Sequence, residues 1–318
     1  MVVAYAPIGR YRPERTPCYV RVKLGASARY IVPLSAAGDA DPGTIGGKAR
    51  GFATIARAGL GAPEGFILTV DAHRSADGAG RLTEDAAREV AAAAAALGDA
   101  ALAVRSSATG EDGVEHSHAG QYLTRLGVRG PAEVLDAVHA CWASAEDGRA
   151  AAYRAQRGHD APVAMAVIVQ RLAAGEASGV GMTRDPVTGD PDTVVINAAW
   201  GLGELLVSGL VTPDDYRLAR ADGRLLRWDA GDMETMLVPV PDGVAEVPVP
   251  GDRLGARVLD DRLLAEVHDG LLRCEQALGL PADCEFSVVG GRVVWLQCRP
   301  MTALGTPPPS IPEGALQT

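Results

Sequence analysis

The sequence predicts an α/β protein, and three observations carry that expectation. Short apolar strands alternate with segments of helical character along most of the chain. Clusters of glycine and proline, such as Leu60-Gly61-Ala62-Pro63, punctuate them. At 318 residues the chain can bury one real core or two modest ones.

Residues 1–30 are basic and dotted with proline, and read as an N-terminal extension that packs as an edge strand or arm. From Tyr30 a short apolar strand leads into a glycine turn and a helix at about 48–59. The stretch ARAGLGAPEGFILT then supplies a helix stop, a proline turn and a buried strand. Residues 83–97 open with Thr83 as N-cap and acids in the first turn, which predicts a helix. Segments 102–106, 163–170, 178–183 and 193–198 read as strands of a first subdomain, residues 31–200, with helices near 131–157 between them. A second subdomain, residues 201–304, holds a charged hairpin at 215–229 and a helix at 260–278. Residues 236–256 contain prolines and no clear period, as in a loop or an irregular strand pair. Residues 305–318, with three consecutive prolines, form a flexible or extended tail.

The second subdomain ends on DCEFSVVGGRVVWLQCRPMT, residues 283–302, the most informative stretch of the chain. Two period-two strands joined by Gly290 and Gly291 predict a β-hairpin with one oily face. The other face carries Asp283, Glu285, Gln297 and Arg299: oxygen donors for a hard cation beside a fork for phosphate oxygens. A tight two-residue turn would pair Glu285 with Leu296 and split this set. An odd loop, or a bulge at the glycines, pairs Glu285 with Gln297, Asp283 with Arg299, Phe286 with Leu296 and Val288 with Val294. Burial of one face selects the odd register, because a one-residue slip turns every side chain over. An ordinary half-buried hairpin with a solvated ion pair has the same pattern.

The net charge is −10 with basic residues scattered, which excludes a nucleic-acid footprint. An acidic chain that binds a triphosphate must concentrate positive charge locally, and Lys48, Arg105 and Arg299 are the candidates. No run reaches membrane-spanning length, and the polar start does not fit a signal peptide. The five cysteines form no CxxC pair and no metal-finger spacing, and Cys284 and Cys298 fall on the oily side of the hairpin, where small apolar packing is their expected role. Reduced thiols and a cytoplasmic location follow as expectations.

Lys48 follows two glycines and opens a helix, which suits a phosphate contact and equally a helix-capping turn. Arg105 closes the apolar run from Ala101 to Val104 and suits either a bidentate phosphate grip or an interdomain ion pair. His116 and His118 precede a short glycine loop, Ala119 to Thr124, and read as surface residues or as groups for proton transfer or substrate contact.

Five segments in order carry a family resemblance: GGKARGFATIARAGLGAPEGFILT (46–69), VRSSATGEDGVEHSHAGQYLTRLGV (104–128), VAMAVIVQRLAAGEASGVGMTRDPVTGD (163–190), VVINAAWGLGELLVSGLVTPDDY (194–216) and the terminal hairpin. Together they resemble the ATP-binding domain of phosphoenolpyruvate synthases, pyruvate phosphate dikinases and rifampicin phosphotransferases. The resemblance implies an ATP-grasp fold with the nucleotide cleft between its subdomains, and ATP and Mg²⁺ as cofactors. It makes Lys48 and Arg105 phosphate contacts, and Gly120, Gln121 and Thr124 part of a phosphate lid. It places Gln170 and Leu172 at the adenine hinge through their main chains, and Glu204 near the ribose or the sheet that frames it. Glu285 and Gln297 become Mg²⁺ ligands and Arg299 the holder of the transferring phosphoryl group, while Asp283 either orients Arg299 or binds a second metal. Two departures stand out: His118 replaces an expected bulky apolar residue, and GDMETM (231–236) lacks an expected lysine.

In the family, the β-phosphate of ATP passes to a histidine on a swivelling domain, and sequence after Met301 is expected to supply it. The chain stops instead, and none of its six histidines resembles the phosphohistidine loop. Three functions follow: an ATP-cleaving half that phosphorylates the histidine of a separate partner protein, which is preferred; a kinase acting directly on a small-molecule acceptor; and a non-catalytic nucleotide-binding module.

Overall fold

The structure, a computed structural model, describes residues 28–77, 80–108, 123–146, 164–241 and 243–301. The N-terminal extension up to residue 27, the lid residues Gly120 and Gln121, both lid histidines and the tail after 301 lie outside the described residues.

Two antiparallel sheets organise the chain. The first comprises β1 (Ile31–Pro33), β2 (Gly65–Leu68), β3 (Leu102–Ala108), β4 (Thr124–Val128) and β5 (Met165–Arg171), in the order β1-β2-β5-β3-β4. Period-two alternation gives it two different faces. Phe66, Leu68, Leu102, Val104, Val167 and Val169 form one core with α3 (Glu84–Ala96) and α4 (Gly130–Glu146). Thr83 caps α3 as expected, its hydroxyl accepting from the Ala86 N–H at 3.3 Å. The opposite face, with Ile67, Ala166 and Ile168, packs on α1 (Pro42–Arg57) through Ile45, Phe52 and Ile55. The short helix α2 (Val70–Arg74) follows β2.

The second sheet comprises β6 (Ala177–Met182), β7 (Thr193–Trp200), β8 (Asp214–Ala219), β9 (Leu225–Asp229), β12 (Ala282–Val289) and β13 (Arg292–Pro300), in the order β13-β12-β6-β7-β8-β9. Its core face packs on α6 (Asp261–Leu278) through Leu264, Val267 and Leu271. Between β7 and β8 lies α5 (Glu204–Val207). Strands β10 (Thr235–Val240) and β11 (Gly243–Pro248) form a separate ribbon. No helix among the described residues is long and apolar enough to cross a membrane.

The expected α/β character holds, with three corrections. Segments 178–183 and 193–198, expected in the first subdomain, are strands of the second sheet, so sheet membership changes between Arg171 and Ala177 and not near residue 200. Glycines explain this placement. A Cβ at Gly179 would stand 2.3 Å from the Phe286 ring, and one at Gly181 would stand 2.6 Å from Leu271. These bare positions on β6 are sockets for large side chains of β12 and α6. Residues 236–256, expected as a loop or an irregular strand pair, contain a strand pair whose register is regular, from Thr235 opposite Pro248 to Val240 opposite Gly243. Its prolines are tolerated because each strand of a two-stranded ribbon has an outer edge.

The third correction concerns the hairpin register. The turn is the tight two-residue form, with positive φ of 58° at Gly290 and 71° at Gly291 and Val289 opposite Arg292. A bulge then falls between Glu285 and Phe286, leaving Leu296 as the extra residue. Phe286 therefore faces Trp295 and Val288 faces Val293, in place of Leu296 and Val294. Beyond the bulge the expected pairs appear, Glu285 opposite Gln297 and Asp283 opposite Arg299. Trp295 turns inward onto α6, where a Cβ at Gly270 would stand 2.1 Å from its ring.

Helix α1 starts earlier than expected and is broken at Gly46, with φ 75° and ψ 173°. Asp41 caps the first piece by accepting from the Gly43 N–H at 2.8 Å. The second piece, beginning just before Lys48, is fastened to β3: Ser107 Oγ donates to Ile45 O at 3.1 Å and accepts from the Ala49 N–H at 3.2 Å. A Cβ at Gly46 would lie 2.1 Å from Ser107 O. Gly46→Ala is therefore expected to cost at least about 3 kcal/mol, strain and backbone clash together. Gly98→Ala, at φ 69° with nothing within 4 Å, meets only the left-handed backbone penalty of about 1 kcal/mol. Urea unfolding of both variants checks this, and equal losses would contradict the close-approach argument.

Candidate active site

The site forms where the inner face of the first sheet meets the polar side of the hairpin. Arg105 lies on β3, on the same face as Ser107, so the strand that anchors α1 also aims this guanidinium toward the second sheet. Its Nη2 donates to Glu285 Oε2 at 3.0 Å and to Gln297 Oε1 at 3.4 Å, an ion pair between the two sheets. The pair is partly buried, with 16% of the Arg105 side chain and 20% of the Glu285 side chain exposed.

Asp283 and Arg299, the next cross-strand pair, form a second contact on the same side. Arg299 Nε and Nη2 each lie 3.0 Å from Asp283 Oδ2. One carboxylate oxygen held by two nitrogens of the fork fixes the plane of the guanidinium and leaves Nη1 as the group outside this grip.

Thr124 pairs directly with Arg105 across β3 and β4, which puts the end of the expected lid beside this arginine. Lys48, half-buried, lies just past the α1 kink that Ser107 clamps, two residues along β3 from Arg105. Glu204 stands at the start of α5, after a turn positioned by Ser178, whose hydroxyl donates to Gly201 O at 2.9 Å. Burial pushes the Glu204 carboxyl above its ordinary range, and the Arg105 charge pulls it back. Glu204 thus belongs to the same electrostatic neighbourhood.

The hinge residues are less open than expected. Leu172 donates its N–H to Ala101 O at 2.8 Å, and its carbonyl accepts from the Ala174 N–H at 2.9 Å. On the Leu172 main chain, a second lone pair on that carbonyl remains for a base edge. Gln170 is 2% exposed on the inner face of β5, and its Oε1 has no hydrogen-bond partner among the described residues.

Sequence reasoning missed a polar row that continues from the hairpin across the second sheet. Glu285, Val180, Asn197 and Asp215 are successive cross-strand partners. Asn197 donates to Asp215 Oδ2 at 2.9 Å, and Arg217 joins Asp215 to Asp185. Period-two alternation within each strand was the available signal, but it reveals a row only once strand order is known. A cavity of about 340 Å³ lined by Leu34, Phe52, Ile55, Leu60 and Glu64 lies at the C-terminal end of α1 and includes none of these site residues.

Residues 79–314 match the family described as pyruvate phosphate dikinase, AMP/ATP-binding domain. The chain belongs to this family. It is 40% identical over 208 residues to a probable phosphoenolpyruvate synthase of Methanothermobacter thermautotrophicus, covering 65% of this chain and 30% of that protein. It is 36% identical to the prodigiosin synthesizing transferase PigC of Serratia marcescens, covering 87% and 34%. It is 32% identical to a rifampicin phosphotransferase of Streptomyces sviceus, covering 89% and 37%. The chain thus spans about a third of the length of these relatives. The family supports the ATP-grasp reading of the two-sheet architecture and identifies the chain as an ATP-binding domain.

The Glu204 environment gives a direct test of the site's electrostatics. Removing the Arg105 charge removes the pull that opposes burial, so Arg105→Ala should raise the Glu204 carboxyl further above its ordinary range. A raised carboxyl favours the fold while protonated, and that contribution is lost as pH rises through the folded-state value. Carbon-detected NMR titration of Glu204 in the two proteins reads the shift; an unchanged or lower value in Arg105→Ala would refute the proximity.

Proposed function

We propose that this domain binds Mg²⁺-ATP between Arg105 and the β12–β13 hairpin and cleaves it, passing a phosphoryl group to the histidine of a separate phosphohistidine domain. The single observation that carries this reading is the convergence of Glu285 Oε2 and Gln297 Oε1 on one nitrogen of Arg105. Two oxygens aimed at one cationic point are what a hard divalent ion requires, and the guanidinium stands in for that ion. The donor set, a carboxylate and an amide carbonyl, suits magnesium and leaves positions for phosphate oxygens and water. When bound, the ion supplies neutralisation of triphosphate charge.

The chain's own residues then divide the work. Glu285 and Gln297 hold the ion, and Arg105, released from them, turns its fork to phosphate oxygens. Arg299, held in plane by Asp283, faces the charge that develops on the transferring group. Lys48, on a helix anchored to the strand of Arg105, adds a mobile positive charge, and Thr124 closes the site from β4 with the lid. Gln170 and the Leu172 carbonyl border the base, and Glu204 the sugar.

The acceptor is not among the described histidines. His73 packs edge-on to Trp142, His139 accepts from the Leu82 N–H, and His268 Nε2 pairs with Arg220 O at 3.0 Å. All three are engaged away from the hairpin, which supports an acceptor brought from another domain. The four described cysteines are free thiols, in keeping with work in the reducing cytoplasm.

Calorimetric titration with ATP, with and without magnesium, tests the site. Glu285→Ala should lose the magnesium-dependent part of ATP binding. Arg299→Ala should keep most of that binding but lower phosphoryl transfer by about 10²–10³. Unaltered magnesium dependence in Glu285→Ala would remove the basis of the proposal. AMP and phosphate should form only when a phosphohistidine domain is added; ATP turnover triggered by a small molecule without any second protein would replace this reading with direct small-molecule phosphorylation.

A further inference from the structure

Behind the hairpin, on the face away from Asp283, Glu285, Gln297 and Arg299, three cysteines meet. Cys284 on β12 and Cys298 on β13 are direct cross-strand partners, and Cys274 reaches them from α6. Their sulfurs all lie within 4.8 Å of one another. Cys274 and Cys284 are fully buried and Cys298 is 4% exposed. Among the described residues this is the one convergence of three or more histidine, cysteine or acidic side chains with metal-ligand spacing.

We infer that Cys274, Cys284 and Cys298 form a three-sulfur site for a soft, thiophilic metal ion of low coordination number, with Cu(I) as its probe. Three sulfurs at about 2.3 Å from a central ion in a plane stand about 4.0 Å apart, so the trio needs only a slight contraction. Sulfur donors select soft ions over magnesium, which keeps this centre chemically separate from the oxygen-lined site on the other face. No carboxylate or imidazole joins the group, so the donor set alone builds a three-coordinate centre and lacks the fourth protein ligand of a structural zinc site. Each thiol that binds gives its proton to solvent as a metal–sulfur bond forms, and no electron is transferred.

The element geometry holds the trio in place without a metal. Cys284 and Cys298 occupy the oily face of the β12–β13 pair below the bulge. A Cβ at Gly51 would approach the Cys298 backbone to 2.6 Å, so α1 closes one side. Cys141 is the internal comparison: it is buried in the other core with α3 and α4, and burial pushes its thiol up to about 12.

The test is an anaerobic titration of the purified chain with Cu(I) delivered from a chromophoric chelator. A parallel sample is refolded from denaturant with Cu(I) present, so that slow access to the buried sulfurs does not mask the site. The expected result is one tightly held Cu(I) per chain, with X-ray absorption showing three sulfurs at about 2.3 Å. Cys274→Ala and Cys298→Ala should weaken retention at least about 100-fold, while Cys141→Ala should leave it unchanged. The absorption measurement on the unaltered chain stands even if a variant folds poorly. Absence of stoichiometric uptake in both samples, or equal retention in Cys274→Ala, would overturn the inference.

Discussion

The bulge at Leu296 is the constraint on which both faces of the hairpin depend. A two-residue glycine turn fixes an even register, and the polar set requires an odd one. Without the extra residue, Gln297 and Arg299 would turn away from Glu285 and Asp283, and Cys298 would leave the core. Placing the slip between the two halves satisfies the turn, the Trp295 socket on Gly270 and the polar face at once. A bulge next to a functional site that re-aims side chains is a known use of this irregularity.

The same hairpin meets the first sheet through Arg105, and that contact has a double character. As a partly buried ion pair its contribution to stability is modest, because desolvation offsets much of the attraction. As a geometric constraint it keeps Glu285 and Gln297 converged on one guanidinium nitrogen. The cost of assembling the two oxygens is then met during folding and not at binding. Glu204 is drawn into this balance, since its ionised form is disfavoured by burial and favoured by the same guanidinium. A charge arriving between the sheets would therefore act on three groups that already feel one another.

Much of the fold and the core of the site could be read in the sequence for physical reasons that are local. Alternation exposed Asp283, Glu285, Gln297 and Arg299 as one face, and Thr83 marked its helix by capping chemistry. What stayed hidden was set by neighbours remote in sequence. Gly179 and Gly181 look like weak strand formers until Phe286 and Leu271 are seen to fill the space they leave. Nothing local marks Ser107, whose hydroxyl clamps α1. The two hairpin cysteines were legible as inward-facing, but Cys274 comes from a helix whose rotation against the sheet no period within the strands specifies. The Asn197–Asp215 row was hidden likewise, because cross-strand rows exist only after strand order is set.

The division of donors between the two hairpin faces follows from the same alternation that builds the fold. One face is partly open to solvent and carries carboxylate, amide and guanidinium; the reverse is dry and carries sulfur. Hard and soft chemistry are thus kept apart by one side-chain position along each strand, Cys284 between Asp283 and Glu285, and Cys298 between Gln297 and Arg299. The magnesium site proposed for the oxygen face would gain from this separation, because sulfur there would favour tighter-binding transition metals. The oily face, in turn, accepts cysteine as a small apolar residue where serine would strand a hydroxyl in the core. Packing alone is enough to explain two facing cysteines. The third, arriving from α6 to the same point, is what packing does not require.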